Sequence, residues 1–256
     1  MHMYKIIYIK MFKFIKKIIS ALGYKLIEKR LYKNSQFVEQ FNAINTKEIL
    51  SNLYKNNLIN KLVQIGANDG FRFDILRSFL IEFNTKALLV EPIPEYFEKL
   101  KNNYKDKKNI VFENSAISIN DKHKIMYKVN EKFYKFYSDH VYGISSFNKN
   151  HLIKHGVHNK HIITTKINTI NIEDLLKKHN FLDLDLLYID AEGYDGEIIL
   201  EFMKKVNIKP LIIFEYIHID HFIFERVIRI LNQKNYKIIK CNENVVAINK
   251  EIQVDL

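Results

Sequence analysis

Cysteine is almost missing from this 256-residue chain, where Cys241 stands alone. A single thiol excludes a disulfide scaffold and a cysteine-based zinc cluster. Glycine and proline are scarce, at 7 and 3 residues, so no Gly/Pro-rich linker divides the chain, and no internal repeat is visible. No uncharged run approaches the ~18 residues that span a bilayer. Lysines interrupt every apolar run near the N-terminus that would serve as the core of a secretory signal. Two nucleotide motifs are also absent: the Gly-x-Gly-x-x-Gly of dinucleotide folds and the Gly-Lys-Ser/Thr of phosphate-binding loops. What is present is 47% hydrophobic and 27% charged residues. That is enough apolar material for one large domain, or a core domain with a small appendage.

Arginine is the last scarcity. Of 40 basic residues only 5 are Arg, while Ile reaches 40 and Asn 27, a bias expected from A/T-rich codons. Specific nucleic-acid readers lean on Arg for bidentate contacts, so the net charge of +11 does not argue for nucleic acid as a partner. The charge is also lopsided. Residues 1–60 hold 11 Lys/Arg against 3 Asp/Glu, and residues 61–256 hold 29 against 26. The first 60 residues therefore read as a basic helical arm on a nearly neutral domain of residues 61–256.

Within the arm, residues 4–19 read as an amphipathic helix. Lys5, Lys10, Lys13, Lys16 and Lys17 fall on one arc, and Ile7, Met11, Phe14, Ile15, Ile18 and Ile19 on the other. Such a helix suits packing on its own domain or a second copy of the chain (a homodimer contact through residues 1–30). It also suits an anionic membrane surface. The expected location is cytoplasmic, with peripheral contact at the inner face of the membrane. Residues 36–57 read as a further helix, with Phe37, Val38, Phe41, Ile44, Ile49, Leu50 and Leu53 at helical intervals.

From Lys61 onward, short apolar runs at 62–65, 87–90, 110–112, 184–189 and 211–214 alternate with helical segments at 71–83, 94–105, 171–179, 194–205 and 219–233. That alternation predicts an α/β fold with a mostly parallel sheet. The runs 236–240 and 245–249, joined by a hairpin-like turn, end the sheet in an antiparallel pair. Residues 130–160 are long, aromatic and rich in histidine, as a substrate loop or lid would be.

Four motifs carry chemistry. Gly66-Ala-Asn-Asp-Gly70 follows the first main strand, where glycine permits a sharp turn close to a ligand. Glu91 and Pro92 end the second, and a carboxylate there can accept both hydroxyls of a ribose. Ile189-Asp-Ala-Glu-Gly193 places Asp190 and Glu192 at a third strand end. Glu215, His218, Asp220 and His221 lie past the tip of a fourth.

In this order, together with Asn114-Ser-Ala and Gly143-Ile-Ser-Ser, the motifs resemble the FkbM-type S-adenosylmethionine-dependent methyltransferases over residues 61–250. Tyr188 stands where that family usually has Lys, and Thr169-Ile-Asn171 where it often has Thr-Leu-Asp. The resemblance implies a class I methyltransferase fold, a Rossmann-like sheet of seven strands with the last antiparallel. It also implies a cofactor site: Gly66, Ala67, Asn68, Asp69 and Gly70 at the methionine part, Glu91 and Pro92 at the ribose, Asn114, Ser115 and Ala116 at the adenine, and Asp190 nearby. His140, Tyr142, Ser145 and Ser146 are candidates on the substrate side.

The expected reaction is O-methylation of a sugar or glycan precursor, free or nucleotide-linked, in surface polysaccharide biosynthesis. The Asn/Asp-Pro-Pro-Tyr tetrapeptide typical of amino-group methylation on bases is absent. Asp190, Glu192, Glu215 and His218 form the candidate catalytic set. Two readings of it stay open. His218 acts as a general base, or Asp190, Glu215 and His218 hold a divalent metal that acidifies the hydroxyl. His151, His155, His158 and His161 form a second cluster, better read as a polar lid than as a metal site because Gly156 breaks the helix. The competing functions are an NAD-linked oxidoreductase, against which the missing glycine motif counts, and a non-catalytic scaffold.

Overall fold

A computed structural model describes residues 38–41, 45–119 and 123–252. The amphipathic helix expected over residues 4–19 lies outside the described residues, as does the contact expected through residues 1–30.

Among the described residues the main sheet has eight strands. In chain order they are β1 (Val38–Phe41), β2 (Lys61–Ile65), β3 (Lys86–Val90), β4 (Ile110–Glu113), β9 (Leu186–Ile189), β10 (Leu211–Glu215), β11 (Tyr236–Cys241) and β12 (Asn244–Asn249). Their spatial order is β1-β11-β12-β10-β9-β2-β3-β4. Seven form the expected Rossmann-like sheet. β12 alone runs antiparallel, between β10 and β11. β1 is an addition: it pairs in parallel with β11 at the sheet edge. It falls inside the segment 36–57 that was expected to be helical throughout. The helix there is shorter, α1 (Thr46–Lys55), begun by a capping box between Asn45 and Glu48.

Among the described residues the other α-helices are α2 (Arg77–Glu82), α3 (Pro94–Asn103), α4 (Lys149–Lys154), α5 (Ile172–His179), α6 (Asp195–Lys205) and α7 (His221–Gln233). Several have a local cause. Pro94 opens α3 at a position where its missing N–H costs nothing. Asn171 caps α5, which ends at left-handed Asn180. Asp220 caps α7 through the Phe222 and Ile223 N–H groups. The helix expected from residue 71 starts only at Arg77, because residues 68–73 form a tight turn with Asn68 and Phe73 at positive φ.

The central strands are buried on both faces, which explains their unbroken apolar runs. Leu62, Leu89, Leu186 and Ile213 pack in one cluster with Ile49, Leu53, Phe79, Leu80 and Leu100 of α1, α2 and α3. The alternate residues Val63, Leu88, Leu187 and Ile212 are buried as well, and by the pleat they face the other side. Leu175, Phe202 and Phe224 anchor α5, α6 and α7.

A second, smaller sheet is built from β5 (Ala116–Ile117), β6 (His123–Val129), β7 (Ser145–Ser146) and β8 (Ile162–Ile170), in the order β5-β8-β6-β7. The expected lid over 130–160 is folded rather than loose. Short 3-10 turns, β7 and α4 enclose their own core of Val129, Tyr134, Val141, Ile144, Leu152 and Val157. The small sheet and this folded segment together form the cap.

Candidate active site

Strand register assembles the centre of the site. Ile65 pairs with Val90 on β3 and Ile189 on β9, and Ile189 pairs with Phe214 on β10. The next residues, Gly66, Glu91, Asp190 and Glu215, therefore stand in one row at the carboxyl ends of adjacent strands. The chain order reverses between β2 and β9, the place where open α/β sheets bind ligands. Gly66 and Ala67 N–H groups both donate to the Val90 carbonyl at 3.0 Å, and the Asp190 N–H donates to Ile65 at 2.9 Å. Gly66 has φ +82°, and a Cβ there would lie 1.8 Å from the Asp190 carbonyl oxygen. Only glycine lets the two strand ends approach so closely.

A cleft of about 340 Å³ opens over this row. Gly66, Ala67, Asn68, Glu91, Pro92, Ser115, Ala116 and Asp190 line it. Asp69, Gly70 and Asn114 shape the turns behind it. Asp69 accepts the Phe71 and Arg72 N–H groups at 3.0 and 2.8 Å. Gly70 lies against Leu100 and Tyr104, with no room for a Cβ. Asn114 Nδ2 donates to the Glu91 and Pro92 carbonyls at 2.9 and 3.2 Å, bracing the end of β3.

Glu91 is buried. Its two oxygens accept the Asn68 N–H at 2.9 Å and the Ile93 N–H at 2.8 Å. Burial outweighs these bonds and pushes its carboxyl up to about 7. Asn68 Nδ2 donates to the Tyr142 carbonyl at 3.1 Å, and Asn68 Oδ1 is buried without a partner.

The cleft is strongly acidic. Burial, and then repulsion from Glu192, Asp195 and other acids, raises Asp190 well above the usual carboxylate range. Glu215 is pushed up to about 9 by burial and by Asp190, Glu192, Asp195 and Glu243. Behind them Asp195, fully buried at the start of α6, accepts the Gly193 N–H at 3.2 Å, and burial lifts it to about 7.

Residues 64–238 match the methyltransferase FkbM domain. The chain belongs to the FkbM methyltransferase family. Among solved structures, the FkbM methyltransferase of Methylobacillus flagellatus is 12% identical with a TM-score of 0.45, over 75% of this chain and 44% of that one. The chain thus spans less than half the length of that protein. An O-methyltransferase from Bacillus cereus, solved in complex with SAH, is 8% identical with a TM-score of 0.44, over 92% of this chain and 97% of that one. Fibrillarin from Aeropyrum pernix, with natively bound S-adenosyl-L-methionine, is 12% identical with a TM-score of 0.39, over 78% and 74%. No curated protein matches in sequence.

The catalytic candidates of this FkbM-family chain take different positions. His218 lines the cleft with Nε2 3.5 Å from Glu215 Oε2. Glu192, at φ +49°, is held by the cap: its Oε2 lies 2.7 Å from His151 Nε2, and its carbonyl accepts the Ser146 hydroxyl at 3.1 Å. Asp190, Glu215 and His218 formed a metal set in one of the two open readings. Among the described residues, a group whose ligand atoms come within 4.8 Å of one another is His151, His155 and His218. His158 and His161 stay apart from it: His161 stacks on Phe133 and meets the Tyr137 hydroxyl at 2.6 Å.

On the substrate side, His140 and Ser145 line the cleft. Tyr142 and Ser146 serve the frame. The Tyr142 ring lies under Arg72 at 4.4 Å, and Ser146 holds the Glu192 loop. Sequence reasoning missed Gln64, Asp74, Tyr96, Phe147 and Glu243, all of which line the cleft. Asp74 and Phe147 sat in segments read as helix and lid. Glu243 sat in a hairpin turn that carried no motif.

Proposed function

We propose that the chain transfers a methyl group from S-adenosylmethionine to a hydroxyl oxygen of a sugar or glycan precursor, nucleotide-linked or free, in the making of a surface polysaccharide. The observation that carries this reading is the row of strand ends, which sets Glu91 and an acidic wall around one cleft at the reversal of strand order. The cleft's donor set fits that cofactor. Glu91 suits the ribose hydroxyls, and Ser115 and Ala116 border a place for adenine. The unpartnered Asn68 Oδ1 offers an acceptor to an ammonium group. Asp190, Glu215 and Glu243 suit a sulfonium cation.

Bound there, the cofactor supplies an electrophilic methyl carbon. The chain's own contribution is alignment, which can be worth ~7–11 kcal/mol, and removal of the acceptor's proton. His218 takes that proton, and Glu215, whose Oε2 lies 3.5 Å from Nε2, orients the imidazole. A base in such a role contributes about 10²–10⁴-fold. The cap adds polar His140 and Ser145 and aromatic Phe147 to the opposite wall, a lining suited to a polyhydroxylated acceptor. No helix among the described residues is long and apolar enough to cross a membrane. A cytoplasmic place, with the basic segment of residues 1–30 touching the inner membrane face or a second copy, belongs to the same proposal.

Calorimetry with S-adenosylmethionine and with NAD tests the cofactor. Failure to bind S-adenosylmethionine at millimolar concentration overturns the reading, and binding of NAD alone favours an oxidoreductase. Glycan precursors incubated with the protein and cofactor should gain the mass of one CH₂. A cofactor-binding chain that methylates none of them would be a scaffold toward this class of acceptor.

A further inference from the structure

We propose that His151, His155 and His218 form a binding site for a divalent transition-metal ion that joins the cap to the main sheet. His151 lies within α4 and His155 is its C-cap, one turn further on. His218 comes from a different part of the chain, just past β10. The three rings converge with centroids 4.4, 4.7 and 4.7 Å apart, and one nitrogen from each lies within 4.8 Å of the others.

The surroundings orient the rings as ligands. The His155 Nδ1–H donates to the His151 carbonyl at 2.9 Å, which leaves the lone pair on Nε2. His151 Nε2 meets the Glu192 carboxylate at 2.7 Å. Carbonyl and carboxylate partners of this kind fix the tautomer of metal-binding histidines and raise their basicity. An all-imidazole set selects Zn²⁺, Ni²⁺ or Cu²⁺ over Mg²⁺ and Ca²⁺, which want oxygen ligands. Three protein ligands leave a fourth position free, and His155 and His218 both line the cleft. The ion thus pins α4 to the end of β10 at the mouth of the site; with it bound His218 is a ligand, and the proton transfer proposed above belongs to the metal-free chain.

The full chain, stripped with EDTA, is titrated with Zn²⁺ alone and with Co²⁺ alone. One equivalent of Zn²⁺ should bind and raise the melting temperature. Co²⁺ should give the intense visible bands of a low-coordinate nitrogen site, and Mg²⁺ should not displace it. His151→Ala and His155→Ala should each weaken binding at least 100-fold, and Glu192→Gln about 10–100-fold. Circular dichroism checks the fold, and S-adenosylmethionine calorimetry on the His151→Ala protein, whose substituted side chain does not line the cleft, should be unchanged, so failure of the metal site and failure of the cofactor reading are told apart. Lack of stoichiometric binding by the unaltered chain overturns the proposal, and so does binding that survives both histidine substitutions.

Discussion

The main sheet and the cap meet at one cleft but are built by different means. At the sheet ends the main chain sets position: register aligns Gly66, Glu91, Asp190 and Glu215, and carbonyl bonds between neighbouring strands lock them. The cap is held by its own small apolar cluster and by side chains reaching across, His151 to Glu192 and Ser146 to the Glu192 carbonyl. The sheet side is therefore rigid and suited to a constant ligand. The cap side is tied on by side chains, so substitutions there can change the cleft lining without altering strand register.

The most direct way to break the rigid half is Gly66→Ala. The added methyl has the Asp190 carbonyl in its place and a positive φ that alone costs about 1–3 kcal/mol. Cofactor binding should fall below detection by calorimetry, with a lower melting temperature. Next is His218→Ala, which should cut kcat by about 10²–10⁴-fold while leaving S-adenosylmethionine affinity intact. An equal loss of affinity would place His218 in the cofactor site instead.

Paired core truncations sharpen the contrast. Leu187 and Leu152 are both fully buried. Leu187→Ala in the sheet should cost about 2–5 kcal/mol of global stability by urea denaturation. Leu152→Ala should instead raise hydrogen exchange and proteolysis in residues 130–160, with the sheet's transition little changed. A single shared transition in both variants would show that cap and sheet unfold together.

The smallest effect is in pH. Glu215, pushed up to about 9, holds its proton in the cleft at neutral pH, burial raises Asp190 in the same direction, and a sulfonium favours the ionised forms. S-adenosylmethionine should therefore bind with proton release, its affinity rising roughly tenfold from pH 6 to 9. S-adenosylhomocysteine, which lacks the sulfonium charge, should show a much flatter profile. Stability runs the other way. A carboxyl raised from 4.5 to about 9 stays protonated in the native state where the unfolded chain has ionised, so stability falls as pH rises through that window. Glu215→Gln should flatten the fall.

Much of the rigid half was legible in the sequence. Strands buried on both faces write themselves as runs such as Leu-Leu-Tyr-Ile, and each site residue at their ends follows directly. The cap was not. β6 and β8 read His-Lys-Ile-Met-Tyr-Lys-Val and Ile-Ile-Thr-Thr-Lys-Ile-Asn-Thr-Ile, and they face solvent on one side, so neither shows a continuous apolar run. Their pairing spans the whole cap, a non-local contact that no local pattern announces. The three-histidine convergence was hidden for the same reason, since His218 comes from the far side of β9 and β10. β1 was misread as helix because four residues are too few to display a period of two against the helical spacing around them.

The turn between β11 and β12 carries Glu243 into the cleft wall, and β12 reaches its place by inserting between β10 and β11. Because β12 stands between β10 and β11 rather than at an edge, Glu243 reaches the cleft only when both of its ladders are formed, so the acidity of that wall and the closure of this half of the sheet are one event.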